Sequence, residues 1–211
     1  MKPTPRSVIV VSDIHCGCRM GLFPDSEVIL DGGFEAVSSP LQEKMFKFWK
    51  EFWNEWVPEV TKGEPYIVVS NGDMLDGVHH GSKTQVSQNF ADQQAIALAC
   101  LASVVSKAAV YYHIRGTEAH AGQSGEQEEL LARSLGAIPD PGGNHARWEL
   151  WIDLHGHLCH FTHHVGTTGS SAYESTAVYK ELVESYVEAG RWGDKPPQVI
   201  VRSHRHRYFK T

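Results

Sequence analysis

The chain has 211 residues, 41% of them hydrophobic, with four cysteines and a formal net charge of -6. That length suits one domain over residues 1–211 with a sizeable core. The acidic balance argues against a surface that coats nucleic acid, and Cys16, Cys18, Cys100 and Cys159 lack the spacing of a zinc site or a disulfide framework. The apolar run before Ser12 is too short for a signal or membrane segment. A soluble, cytoplasmic protein without a membrane partner is the expectation.

Residues 8–11 are apolar and β-branched and read as a buried parallel strand that ends at Ser12 and Asp13. Residues 21–40 show no period and read as a loop or small insertion. Leu41, Met45, Phe48, Phe52 and Trp56 recur at spacings of three and four, which predicts a helix stopping before Pro58. Trp49, Trp53 and Trp56 on that helix suit a packed face better than base stacking. Residues 66–70 repeat the strand pattern and run into Asn71 and Gly72, and a rim loop follows over 79–84. Small residues at helical spacing predict a closely packed helix over 89–106. A third strand over 109–114 ends at Arg115 and Gly116, followed by a short helix near 126–135 and a turn-rich linker over 136–144. Strands over 148–154 and 158–162 read as antiparallel neighbours across a turn at Gly156. A helix over 172–189 ends at Gly190, a strand follows over 199–202, and Tyr208 and Phe209 begin another. The order predicts an α/β fold, a layered αββα sandwich of mixed sheets flanked by helices.

Chemistry-bearing residues collect just after these strands. Asp13 and His15 are two residues apart, which in an extended strand exit puts both on one side. Asp73 follows Gly72, where the backbone turns sharply, and its carboxylate would bridge two cations about 3.5–4 Å apart. His204 and His206 repeat the two-residue spacing and would give one imidazole to each ion, with His163 adding another. Such mixed nitrogen and oxygen donors favour Mn, Fe, Zn, Co or Ni over calcium.

In this order, Asp13-Ile14-His15, Gly72-Asp73-Met74-Leu75-Asp76, His163 and Ser203-His204-Arg205-His206 resemble the motifs of calcineurin-like metallophosphoesterases. The chain departs from that pattern at Gly116-Thr117-Glu118-Ala119-His120, where the family has Gly-Asn-His; this form resembles phage and prophage members. The resemblance implies two divalent ions, Mn foremost. One would be held by Asp13, His15, Asp73 and His206, and the other by Asp73, Glu118, His163 and His204. It implies in-line attack on a phosphate monoester or diester by a hydroxide between the ions, with His120 protonating the leaving oxygen or contacting the phosphoryl group. Asp76 would orient a ligand histidine, His15 foremost.

His164, Arg115, His79 and His80 are further candidates for contact with substrate or ligands, and His155 and His157 read as surface residues of a hairpin. Two alternatives stand beside phosphoester hydrolysis. A nuclease acting on DNA ends or single strands would use the local basic cluster of Arg202, Arg205, Arg207 and Lys210, making nucleic acid a partner. A non-catalytic metal-binding scaffold would be expected to lose ligands that this chain keeps.

Overall fold

The computed structural model describes residues 4–79, 81–166, 174–206 and 208. Its elements begin with β1 (Ser7–Val11), the short hairpin β2 (Val28–Ile29) and β3 (Glu35–Ala36), and α1 (Pro40–Glu51), which a π-turn over Phe52–Trp56 joins to α2 (Val57–Thr61). Next come β4 (Tyr66–Asn71), α3 (Phe90–Val105), β5 (Val110–Ile114), α4 (Glu118–Ala121), α5 (Glu126–Ser134) and β6 (Ala146–Arg147). The hairpin β7 (Leu150–Leu154) and β8 (His157–Phe161), then α6 (Glu174–Trp192) and β9 (Val199–Val201), complete the series.

One sheet is parallel throughout, in the order β1-β4-β5-β6, and a second has the order β7-β8-β9. β7 and β8 are antiparallel as expected, and β9 runs parallel to β8. Alternation along the parallel strands divides the core in two. Ile9, Val68 and Tyr111 face the helices and pack with Trp53, Ile96, Leu101 and Leu131. Ile67, Val69 and Ile114 point the other way, onto Leu150, Cys159 and Phe161 of the second sheet. Both faces of the parallel sheet are therefore covered, as its apolar strands require.

The outer face of the second sheet carries Trp151, stacked on His160 at 3.9 Å between ring centroids. Trp151 and the α6 residues Glu181, Ser185 and Ala189 line one cavity there. The result is a mixed α/β architecture in which two main sheets lie face to face with helices on either side.

Two helix boundaries differ from expectation. The first long helix does not stop before Pro58. The π-turn widens the backbone immediately ahead of it, Val57 N–H bonds back to Phe52 O, and the proline ring sits in the first turn of α2, where its missing N–H costs nothing. That helix ends at Lys62, in the left-handed region at φ 54°, with Gly63 N–H donating to Pro58 O. Likewise α6 runs through Gly190 to Trp192, because the helix-ending geometry forms at Gly193, where Asp194 N–H donates to Ala189 O. The expected start at residue 172 lies outside the described residues, as does Phe209. Tyr208 is exposed and belongs to no strand. Among the described residues, no helix is long and apolar enough to cross a membrane.

Candidate metal centre

The loops leaving β1 and β4 are stitched together along their backbones. Asp13 N–H donates to Gly72 O at 3.0 Å, His15 N–H to Asp73 O at 3.1 Å, and Cys16 N–H to Met74 O at 2.9 Å; Asp76 N–H returns to Cys16 O at 3.0 Å. Asp13 and His15 are not extended, contrary to expectation, but left-handed at φ 55° and 45°, as are Asp73 at 55°, His204 at 73° and His206 at 51°. The described residues contain two other non-glycine cases, Lys62 at a helix end and His155 in the β7–β8 turn, and both have a local structural cause. Five unfavourable backbone conformations, each costing about 1 kcal/mol or more, thus gather at five predicted ligands. The two-residue pairing survives because alternate residues turn, not because the strand continues.

Glycine allows the closest approach. A Cβ on Gly116 would lie 2.0 Å from Asp73 Oδ1, and one on Gly72 would lie 2.5 Å from the His163 ring. Below these loops Glu128 is fully buried; its carboxylate accepts from Met74 N–H at 2.9 Å and from Gly116 N–H, so one side chain ties the β4 and β5 loops.

Four groups of side chains bring their ligand atoms within 4.8 Å of one another: Asp13, His15 and His206; His15, Asp73 and His120; Asp73, His163 and His204; and Asp76, His79 and His120. His206 Nε2 is 3.2 Å from Asp13 Oδ1 and 3.1 Å from His15 Nε2. His163 Nε2 is 2.9 Å from Asp73 Oδ2, and His204 Nδ1 is 3.9 Å from the same oxygen. Donors bound at about 2.1 Å to one ion stand about 3.0–3.5 Å apart; the two His206 spacings fall in that range, His163 is slightly closer and His204 wider. Among the described residues, Asp13 Oδ1, His15 Nδ1 and His163 Nε2 are buried with no polar neighbour in good hydrogen-bond geometry beyond the members of these groups. Buried polar atoms are ordinarily satisfied, and a cation would satisfy Asp13 Oδ1 and His163 Nε2. The residues fit two metal ions in a bridged arrangement, with Asp73 shared.

The imidazoles are oriented from behind. His163 Nδ1 lies 2.6 Å from Asn71 O, which turns Nε2 toward Asp73. The Asn71 amide donates to Ser203 Oγ at 2.6 Å and to Thr162 O at 3.1 Å, tying the segment that carries His204 to the end of β4. Asp76 Oδ1 is 3.6 Å from His15 Nδ1, while its Oδ2 accepts from Gln85.

Burial, aided by the neighbouring His120, lowers the pKa of His15 to about 4, keeping the ring neutral and available to a cation. Burial also works on Asp73, pushing its pKa up, but the bond and charge of His163, the His120 ring and the Thr117 N–H prevail and hold it at about 2. His163 itself is raised: burial opposes the shift, and Asp73 outweighs it.

Other expected residues fall elsewhere. Glu118 is exposed at the start of α4 and belongs to none of the four groups; Thr117 takes the place beside Asp73, donating its N–H to Oδ1 at 2.7 Å. The third motif begins a short helix, which turns Glu118 away and brings His120 back, with its Nδ1 against Asp76 O. Arg115 donates to Ala146 O and Ser124 O and covers the Trp148 ring, so its guanidinium serves the β6 side. His164 is exposed and stacks on His204 at 5.3 Å; His79 Nε2 lies 3.6 Å from Asp76 Oδ1. His80 lies outside the described residues. Of the expected basic cluster, Arg202 pairs with Glu181 of α6 and Arg205 is half-buried, and Arg207 and Lys210 lie outside the described residues.

Sequence reasoning missed Glu128, Asn71 and Thr117. For Glu128 a signal existed, since Leu131 and Ala132 follow it at helical spacing and mark the buried face of α5. Comparison with protein-family models gives no match, and comparison with curated proteins gives none either.

Proposed function

We propose that this chain is a dinuclear-metal-dependent phosphoesterase that hydrolyses a phosphate monoester or diester, with the chemistry of the calcineurin-like enzymes that its motifs resemble, in their phage or prophage form. The observation that carries the reading is the meeting of Asp13, His15 and His206 with Asp73, His163 and His204 at one end of the two sheets, the ligand atoms of each group lying within 4.8 Å of one another. Two divalent ions, Mn foremost, would lower the pKa of bound water and neutralise charge on the phosphoryl oxygens.

The chain's own groups do the rest. Asp73 stays ionised and central, fixed by the Thr117 N–H and hydroxyl. His120 is anchored through Nδ1 on the Asp76 carbonyl, so its Nε2 turns to the cluster, 4.0 Å from Asp73 Oδ2. In its doubly protonated form that nitrogen donates to the leaving or phosphoryl oxygen. Asp76 holds His15 from behind. A cleft lined by Ser12, Asp13, Arg202, Ser203, His206 and Tyr208 opens beside the first group. A nucleic-acid substrate has less support, because Arg202 is spent on Glu181 rather than offered to a backbone.

The test is hydrolysis of an aryl phosphate diester by metal-stripped protein with and without added Mn2+. Activity that returns with the metal in the native chain and not in Asp73→Asn supports the reading. Hydrolysis equal in all samples refutes it.

A further inference from the structure

Of the fourth group, Asp76 and His79 belong to none of the other three. Asp76, His79 and His120 bring ligand atoms within 4.8 Å of one another on the far side of His15 from His206. Asp76 is 4% exposed, and its Oδ1 faces His79 Nε2 at 3.6 Å, beyond hydrogen-bond range and close to the separation of two donors on one ion. The His79 and His120 rings stand edge to face at 4.5 Å, and His15 meets His120 at the same centroid distance. Three imidazoles thus crowd one buried carboxylate.

We propose that Asp76, His79 and His120 form a third cation site, which takes a borderline transition metal such as Zn2+ and, when filled, withdraws His120 from the reaction. Two imidazoles and one carboxylate are a donor set for Zn, Co or Ni rather than Mg or Ca. The site's residues also have other duties: Asp76 already accepts from Gln85 and faces His15, and His120 is anchored on the Asp76 carbonyl. Its ion therefore binds more weakly than the first two. Occupancy also explains itself chemically, since an imidazole that donates its lone pair to a metal cannot carry the second proton that donation to a leaving oxygen requires. The consequence is inhibition by excess metal, an effect that rests on the proposed role of His120, whereas the binding does not.

The experiment is a calorimetric titration of the metal-stripped full chain with Zn2+, repeated on His79→Ala and His79→Gln, with circular dichroism confirming that each variant is folded. The expected result is three ions in the native chain, the last at least about 10-fold weaker, and two in each variant. Added Zn2+ beyond two equivalents then slows hydrolysis in the native chain at least severalfold and leaves the variants' rates level. Two ions in the native chain, or three in the His79 variants, overturns the third site and leaves the dinuclear reading standing. Binding of no ion at all overturns both.

Discussion

The two sides of the candidate metal centre are built differently. Asp13, His15, Asp73 and Asp76 come from loops that the parallel sheet holds in register through four backbone hydrogen bonds, with the buried Glu128 clamping the β4 and β5 loops from below. His204 and His206 come from the segment after the short edge strand β9, and the side chain of His206 is 56% exposed, against 1% for Asp73. The carboxylate side is set by folding alone. The imidazole side is held by Asn71 and Ser203 at its root and is exposed at its tip.

The largest effect should come from the residue that joins the sides. Asp73→Asn is expected to lower phosphodiester hydrolysis about 10³-fold or more, as loss of an oriented charge at a reacting centre does, with steady-state rates at saturating metal as the check. Next in size, Glu128→Ala leaves the N–H groups of Met74 and Gly116 without an acceptor in a dry interior. A loss of about 2–4 kcal/mol is expected in urea unfolding of the metal-free protein. His206→Ala should leave that same stability within about 0.5 kcal/mol while weakening the ion of its group. If the two variants exchange these effects, the contrast between the sides is wrong.

The pH dependence sharpens the same contrast. His15 has its pKa lowered to about 4 in the folded chain, against 6.5 for the free ring. The unfolded state takes up its proton first, so this residue removes stability as pH falls from about 6.5 toward 4, by up to about 1.4 kcal/mol per pH unit. His163 is raised and acts in the opposite sense, adding stability at acid pH that is lost as pH rises through its folded value. Unfolding free energies of the metal-free native chain and His15→Ala, compared across that window, should diverge at neutral pH and converge toward pH 4. Smallest of all, Glu118→Ala should keep the full complement of ions and change stability by less than about 0.5 kcal/mol, since Glu118 is solvent-exposed and outside every group.

The sequence disclosed the strands, the main helices and the convergence of distant motifs because those depend on period and order. Val68 and Ile67 announce a strand covered on both faces, and the two-residue spacings of Asp13 with His15 and of His204 with His206 are visible in the bare chain. What it concealed depends on backbone geometry that alternation does not encode. The left-handed turns at the ligands, the π-turn that lets the first helix run past Pro58, and the four-residue helix that exchanges Thr117 for Glu118 beside Asp73 each override a local pattern. Glu128 was obscured by its neighbours Glu126 and Glu129, identical in type and different only in helical phase.

The most direct test is the metal content of the native chain and of Asp73→Ala after equilibration with Mn2+ and removal of free ion. The account predicts two ions per native chain, with at least one lost in the variant. A native chain that retains no ion, or an Asp73→Ala chain that retains both with native affinity, would contradict it.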